Sequence, residues 1–288
     1  MNNEIAKNAL EKVTKRVEFI DFDETSKFDA QFVKALSFSP SKNVVIEDYL
    51  CGREFLLNIF GENGEYRVLS MFDRYVCPDR GSAINYSNLA IAPSRSIDSF
   101  MNNVMPKVKT MFQKNGCNSG LFFLQGYSKE GKITFFEMGC RLGGSYYDLE
   151  NACINLDAIE MVVRYALTGK MVRSIADIST GVAKYKQIAI CINYLLKGRV
   201  ATIHEIRGIE EIVSNPVCVS YEKRYNNGDH IPDDRIVDRP IVCLNIVEDN
   251  IEKAKTDVKR FNDVFQVVDK NENSLLMQKF NLAEIFND

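Results

Sequence analysis

The chain has 288 residues, which is enough for one large domain or two modest ones with a sizeable core. Its 45% hydrophobic and 26% charged residues are typical of a soluble globular protein, and a net charge of −3 argues against nucleic acid as the main partner. No run approaches about eighteen apolar residues and the N-terminus is polar, so we expect neither a membrane span nor a secretory signal.

The eight cysteines are scattered and form no C-x-x-C pair. Most of them lie within apolar runs, so we expect buried small hydrophobic residues in a reducing cytoplasm and not disulfides. Only two histidines are present, His204 and His230, which leaves little to build a zinc site or a Cys–His nucleophile. A cytoplasmic location is therefore the expectation.

Apolar spacing in the N-terminal segment predicts a helix over 3–15, a short strand over 16–20 and a helix over 25–38. A buried strand follows from Val44 and ends in the polar run Glu47-Asp48-Tyr49, after which come Leu50, a glycine and Glu54. A strand that ends in an extended linker offers backbone N–H and C=O groups to an adenine edge, and a nearby carboxylate can accept both ribose hydroxyls. The alternative is two ordinary strands joined by an acidic turn.

Two apolar runs, 55–60 and 66–72, predict a hairpin around the turn residues 61–65. A helix is predicted over 96–115, with Pro106 placed to kink or split it. A second helix is predicted over 156–168 and ends at Gly169.

The pattern of residues 120–148 predicts a second hairpin, with strands at 121–127 and 132–138 and a polar loop at 128–131. Folding at that loop places Gln125 nearly opposite Glu137, and cross-strand neighbours are about 5 Å apart at Cβ. Two such oxygen-bearing side chains can share a hard cation. Arg141 and the pair Gly143-Gly144 follow, and a permanent cation next to bare backbone amides suits a polyphosphate.

From about residue 185 the chain becomes rich in predicted strands. Runs at 187–195, 198–206, 217–221, 241–247 and 265–268 have strand character, a turn is predicted at 226–229, and a helix is predicted over 250–263.

At two stretches the sequence resembles the ATP-grasp ligases, a superfamily that includes the carboxylate–amine and amino-acid ligases and the carbamoyl-phosphate synthetase large subunit. The first stretch, 47–54, is similar to the family's adenine-binding linker and ribose-binding glutamate. The second, with Gln125 and the run E-M-G-C-R-L-G-G from Glu137 to Gly144, is similar to the family's metal-ligand hairpin.

The resemblance implies a role for each matched residue. Glu47, Asp48, Tyr49, Leu50 and Glu54 would bind adenosine, Gln125 and Glu137 would hold Mg²⁺, and Arg141 would stabilise the transferred phosphoryl group, with Gly143 and Gly144 beside it. A basic residue after the second strand of the first hairpin reaches phosphate or the acyl substrate in the family, and Arg74 and Arg80 are the candidates; a solvated surface arginine is the equal alternative. Gly139 stands where the family usually has an asparagine ligand, which leaves one or two magnesium ions open.

The fold that this resemblance implies is α+β, with the C-terminal portion of an ATP-grasp domain at 1–180 and a small β-rich domain at 181–288. The implied activity is an ATP-dependent carboxylate–amine or thiol ligase that acts through an acyl phosphate. The alternative is a non-catalytic nucleotide-binding or structural subunit that pairs with an active ligase.

The resemblance covers nearly the whole chain, but it starts in the middle of the family's architecture. The residues before the linker contain no glycine and so no glycine-rich phosphate loop, and the predicted helix at 25–38 corresponds to the one that follows this loop in the family. We therefore expect the chain to be incomplete as an enzyme, with a second polypeptide supplying the N-terminal half. Small carboxylate and amine substrates are the other expected partners. The sequence leaves a homo-oligomer open.

Overall fold

The computed structural model describes residues 50–76, 87–144, 146–170, 174–197, 200–231 and 240–277, together with Leu282 and Ile285. The elements predicted upstream of residue 50, including the linker residues Glu47, Asp48 and Tyr49, lie outside the described residues, as does Arg80. No helix in the described ranges is both long and apolar enough to cross a membrane.

The described residues form twelve strands. They are β1 (Arg53–Glu62), β2 (Glu65–Val76), β3 (Ser87–Ala92), β4 (Gly120–Lys129), β5 (Lys132–Gly139), β6 (Ile188–Tyr194), β7 (Ala201–Thr202), β8 (Glu205–Arg207), β9 (Cys218–Lys223), β10 (His230–Ile231), β11 (Val242–Glu248) and β12 (Gln266–Val268).

The helices are fewer. They are α1 (Ile97–Ser99), a π-helical turn (Phe100–Val104), α2 (Met105–Lys114), α3 (Tyr147–Ile154), α4 (Ala158–Thr168), a 3₁₀ turn (Ile175–Asp177), α5 (Ile209–Val213) and α6 (Ile251–Val264).

Eight strands form one sheet in the order β5-β4-β1-β2-β3-β6-β11-β9, and every neighbouring pair is antiparallel. The pairing of β3 with β6 joins Leu89 to Ile192 and Ala92 to Ala189, so the sheet runs across the predicted boundary at residue 180. The mixed helix-and-sheet class is confirmed, whereas a distinct C-terminal β-rich domain is not. The assignment of 1–180 and 181–288 to two domains stays a prediction.

Both predicted hairpins are present, with tighter turns than expected. Asn63 and Gly64 have positive φ of 52° and 80°, and Glu130 and Gly131 have φ of 50° and 78°. Two central residues with positive φ match the right-handed twist of the flanking strands, so the turn needs only those two residues. The strands therefore extend into the predicted loops 61–65 and 128–131.

The helix predicted over 96–115 is split, as Pro106 suggested. A π-helical turn at 100–104 precedes α2, and Pro106 lies in the first turn of α2, where its missing N–H costs no internal hydrogen bond. Gly169, with φ of 67°, ends α4 as predicted.

The two faces of the sheet carry different cores. On one face an aliphatic cluster packs beneath α6 and an aromatic cluster that includes Phe55, Phe100 and Phe112 packs beneath α1 and α2. On the other face Leu56, Phe72, Phe123 and Tyr146 form a separate cluster with α3. Side chains alternate along a strand, so residues two positions from Leu56, Phe72 and Phe123 on their strands share the second face.

The prediction for the cysteines is only partly confirmed. All seven cysteines in the described ranges are free, and Cys191 and Cys243 are buried. The prediction of burial is wrong for Cys51 and Cys140, which are exposed. Each of these two stands just outside a strand, before β1 and after β5, where the chain leaves the sheet.

Candidate functional site

Three polar side chains meet on the second face of the sheet, at the end of β1. Glu54 is the Cα partner of Arg74 on β2, and Gln125 lies on β4 opposite Leu56. The buried Glu54 carboxylate forms an ion pair with Arg74 and accepts a hydrogen bond of 2.6 Å from Gln125 Nε2. Because a carboxylate beside a guanidinium accepts hydrogen bonds, it fixes the Gln125 amide with its nitrogen toward Glu54. The Gln125 carbonyl oxygen is then the atom that can bind a cation.

Glu137 faces Gln125 across the β4–β5 pair, as the sequence predicted. Its side chain is exposed, and no residue in the described part of the chain forms a hydrogen bond or ion pair with its carboxylate. The register shifts next to this pair, between Gln125 and Gly126, so that Phe136 is the extra residue of a β-bulge. The bulge therefore places the exposed Glu137 carboxylate on the edge strand, opposite the oriented Gln125 amide.

These donors fit a magnesium ion that is completed by phosphate oxygens. The described residues contain no group of three His, Cys, Asp or Glu side chains arranged to hold a metal. Mg²⁺ commonly takes one or two carboxylates from the protein and its remaining ligands from water and substrate phosphates. One exposed carboxylate, Glu137, and one amide oxygen, Gln125, meet that requirement only with a phosphorylated ligand present.

The bulge residue contributes an aromatic surface that the sequence reading missed. The ring of Phe136 is 45% exposed and lies 5.4 Å from the ring of Tyr127, at an interplanar angle of 40°. An exposed aromatic ring beside a charged cluster provides an apolar surface for a planar ligand. The signal was present in the sequence, because Phe135 and Phe136 are consecutive and only one of them can enter the core of a regular strand.

The loop after β5 wraps around the Phe123 ring. The exposed Arg141 guanidinium lies 4.5 Å from the ring centroid and donates a 2.8 Å hydrogen bond to the Leu142 carbonyl. A Cβ atom on Gly139 would lie 2.1 Å from the ring, and one on Gly143 would lie 2.6 Å from the Phe123 Cβ. The ring therefore occupies the space that any side chain at Gly139 would need, which explains why this position has no amide ligand.

The amides of the two glycines differ. The Gly143 N–H donates to Asn58 Oδ1 at 2.9 Å, so the expectation of a bare amide does not hold there. Gly144 has φ of 67°, and a Cβ atom there would lie 2.6 Å from the Tyr146 ring, so a glycine is required. Contact of either glycine with a ligand stays a prediction.

A buried polar network lies beneath this loop. Glu150 on α3 is fully buried, and its Oε1 accepts hydrogen bonds from Ser70 Oγ at 2.5 Å and from Asn58 Nδ2 at 2.8 Å. Burial raises the pKa of the Glu150 carboxyl above its ordinary value, although these two hydrogen bonds act in the opposite direction. The sequence signal was a polar residue within an apolar run, in Leu57-Asn58-Ile59 on β1.

Three further residues near the site lie in different environments. Tyr146 is buried and stacks on Phe72 with ring centroids 4.0 Å apart, so it belongs to the core. Leu50 is partly buried and lies three residues before the start of β1. The ribose-binding role of Glu54 stays a prediction, and one of its oxygens is already occupied by Arg74 and Gln125.

No protein-family profile matches the sequence, and no curated protein matches it either. Solved structures do match. An L-amino acid ligase from Bacillus licheniformis is 17% identical with a TM-score of 0.64, over 77% of this chain and 53% of that one. A phosphoribosylglycinamide synthetase from Anaerococcus prevotii is 14% identical with a TM-score of 0.67, over 93% and 68%.

A biotin carboxylase from Campylobacter jejuni, solved as a β,γ-ATP complex, is 13% identical with a TM-score of 0.66, over 92% of this chain and 57% of that one. This chain thus spans roughly half to two thirds of the length of these structures. All three are ATP-grasp enzymes, and at this level of identity their likeness defines the fold: the chain has the ATP-grasp fold.

Proposed function

We propose that the chain binds ATP with Mg²⁺ and serves in ATP-dependent ligation of a carboxylate to an amine or thiol. The observation that carries this proposal is the pairing of the exposed Glu137 carboxylate with the oriented Gln125 amide at the edge of an ATP-grasp sheet. The L-amino acid ligase and phosphoribosylglycinamide synthetase among the structural neighbours support it, because the names of both enzymes describe ligation or synthesis.

Each residue at this sheet end has a role in the proposal. Glu137 and the Gln125 oxygen would hold Mg²⁺, which when bound neutralises charge on the phosphate oxygens. The apolar surface of Tyr127 and Phe136 would contact the nucleotide base, and Glu47, Asp48, Tyr49 and Leu50 keep the adenine-binding role that the sequence predicts for them. Glu54 and Arg74 orient the Gln125 amide, and Glu54 keeps an oxygen for the ribose.

The proposed reaction has two steps, a phosphoryl transfer and an acyl transfer. A carboxylate oxygen attacks the γ-phosphorus while the bond to the ADP oxygen breaks, which gives an acyl phosphate. An amine that arrives neutral then attacks the acyl carbon, phosphate leaves, and the amine loses a proton to solvent. The exposed Arg141 guanidinium, held against Phe123, would stabilise the negative charge on the transferred group.

Calorimetric titration of a non-hydrolysable ATP analogue, with and without Mg²⁺, tests the site. We expect Glu137→Gln and Gln125→Ala each to weaken magnesium-dependent binding by about 10–100-fold, taking outer-shell mutations as a floor. Glu222→Gln is the matched control, because Glu222 is an exposed carboxylate on β9, the opposite edge strand. Titration curves that are equal for wild type and both site variants would remove the assignment.

A nucleotide-binding subunit without turnover is the second candidate. The observation that favours it is the occupation of potential ligand groups by the protein itself: Arg74 pairs with Glu54, and Asn58 holds the Gly143 amide. A coupled assay for ADP release, run over a panel of amino acids and other small carboxylates, separates the two. The assay is repeated with the N-terminal half of a neighbour added, since such a polypeptide could supply a glycine-rich phosphate loop. ADP release that depends on an acid and an amine supports the ligase, whereas binding without release under both conditions supports the subunit.

A further inference from the structure

The loop that carries Arg141 is fixed from below by one side chain. Asn58 Oδ1 accepts the Gly143 N–H at 2.9 Å, and Asn58 Nδ2 donates to the Gly143 carbonyl at 3.3 Å. The N–H and the carbonyl of Gly143 are thus both bonded to the side-chain amide of Asn58, which is 85 residues away in the sequence. Two hydrogen bonds to one residue restrain both the position and the direction of the loop.

Asn58 is itself oriented by a buried carboxylate. Its Nδ2 also donates to Glu150 Oε1, which accepts from Ser70 Oγ as well. A carboxylate oxygen accepts only, so it fixes which end of the Asn58 amide carries the nitrogen. That orientation in turn presents Oδ1 to the Gly143 N–H. Glu150 therefore acts on the loop through Asn58.

We propose that Asn58 and Glu150 are positioning residues, which fix the loop 139–144 so that Arg141 lies over Phe123 and faces the phosphate end of the site. The proposal deepens the proposed function and rests on it for the role of Arg141. Simple stabilisation of the core is the competing explanation. It does not account for a buried carboxyl in this place, because an apolar side chain at 150 would fill the space without the cost of burying a carboxyl group.

A conservative substitution at Glu150 can separate its hydrogen bonds from its charge. Glu150 Oε2 has no hydrogen-bond partner among the described atoms, whereas Oε1 has two. Glu150→Gln therefore keeps the accepting oxygen and replaces the oxygen without a partner by an amide NH₂ group. Glu150→Leu removes the acceptor, so that only the Gly143 backbone and a long 3.4 Å bond to Ser70 Oγ still orient the Asn58 amide. Ser70→Ala removes one hydrogen bond to the same oxygen and the long 3.4 Å bond from Asn58 Nδ2, while the bond between Asn58 and Glu150 stays, so it is the mildest change.

Hydrogen exchange of the nucleotide-free chain tests the positioning itself. We expect the Gly143 amide to exchange about tenfold faster in Glu150→Leu, the factor that the loss of one ordinary hydrogen bond implies. Glu150→Gln should exchange as wild type does, and Ser70→Ala should lie between them. The control is Tyr194→Phe, which removes the buried 3.2 Å hydrogen bond to Asn262 in a distant part of the fold. Equal exchange at Gly143 in Glu150→Leu and wild type would overturn the proposal, as would equally faster exchange in Tyr194→Phe.

Binding of the ATP analogue with Mg²⁺ is then measured on the same variants. We expect a loss of about tenfold for Glu150→Leu, close to the loss for Arg141→Ala, and recovery in Glu150→Gln. A double variant Glu150→Leu, Arg141→Ala that binds no worse than Arg141→Ala supports action through Arg141, and additive losses contradict it. If the wild type does not bind the analogue, the proposed function fails, while the exchange result still decides whether the network positions the loop.

Discussion

The two halves of the eight-stranded sheet are built from different chemistry. The half made of β5, β4, β1 and β2 carries Glu54, Arg74, Gln125 and Glu137 on one face and buries Glu150 beneath a loop. The half made of β3, β6, β11 and β9 packs aliphatic side chains against α6. Buried polar groups need partners to offset their desolvation, whereas apolar burial stabilises directly.

The difference indicates that one half of the sheet positions the site residues and the other half stabilises the fold. In the first half, the buried side chains near the site hydrogen-bond to one another, as Glu54 does with Gln125 and Glu150 does with Asn58. A substitution there should therefore change the positions of the site residues more than it changes the free energy of unfolding. The second half has few groups that could contact a ligand, so a change there should alter stability alone. The following predictions test that division.

The largest expected effect is a loss of stability from the second half. Phe261 on α6 is fully buried in the aliphatic cluster, and Phe261→Ala should lower the free energy of unfolding by about 3–5 kcal/mol. Denaturant titration measures this, and Phe261→Leu, which leaves a smaller cavity, should cost less. A cost below about 1 kcal/mol for the alanine variant would contradict the view that this half stabilises the fold.

The sequence predicted the strands of both hairpins and the Gln125–Glu137 pairing, because these depend on alternation and turn residues within some twenty positions. It did not predict that β6 would join β3, since that pairing depends on which sheet edge is left open. The contact between Asn58 and Gly143 could not be predicted from the sequence either, because the two residues are 85 positions apart and only the fold brings them together.

Two local details were missed for a different reason. The Gln125–Gly126 bulge shifts the register by one residue, so that Glu137 pairs with Gln125 and Phe136 is the extra residue. The prediction of a bare Gly143 amide relied on the lack of a side chain at glycine. A glycine N–H is accessible to protein acceptors as well as to a ligand, and the Gly143 N–H is bonded to Asn58 Oδ1.

The second half also contains a titrating group. Burial and a hydrogen bond with Asp257 raise the pKa of the Glu248 carboxyl to about 7, with Lys253 opposing the shift. The folded state then binds the proton more tightly than the unfolded state does, so stability falls as pH rises from 4.5 to about 7.

We therefore expect the free energy of unfolding of wild type, relative to Glu248→Gln, to decrease across that window by at most roughly 3 kcal/mol and to be flat above it. Urea titrations at half-unit pH intervals measure the difference. Glu252→Gln removes an exposed carboxylate from α6, the helix that follows β11, and controls for the change in charge. A relative stability that rises with pH would reverse the sign and contradict the burial argument.

In the first half, Gly139→Asn should be costly because of Phe123. The new Cβ would lie 2.1 Å from the ring, so the ring or the strand end must move, at a cost of about 1–3 kcal/mol. Adding Phe123→Ala should relieve the clash, so that the double variant is more stable than the sum of the two single losses predicts. Thermal unfolding of the four chains gives this coupling, and simple additivity would mean that the ring yields without strain.

The smallest expected effect on stability comes from Arg141 itself. Its guanidinium lies over Phe123, is exposed, and bonds only to the Leu142 carbonyl among the described residues, so Arg141→Lys should change the free energy of unfolding by less than about 1 kcal/mol. Lysine keeps the charge but loses the planar group that stacks on the ring and can form two parallel bonds to a phosphate. Binding of the ATP analogue should therefore weaken while the midpoint of unfolding stays nearly constant. Thermal unfolding and calorimetry on the same sample give both quantities. A variant that loses stability and keeps its affinity would show that Arg141 supports the loop, and the first half of the sheet would then depend on its exposed groups for folding as well as for binding.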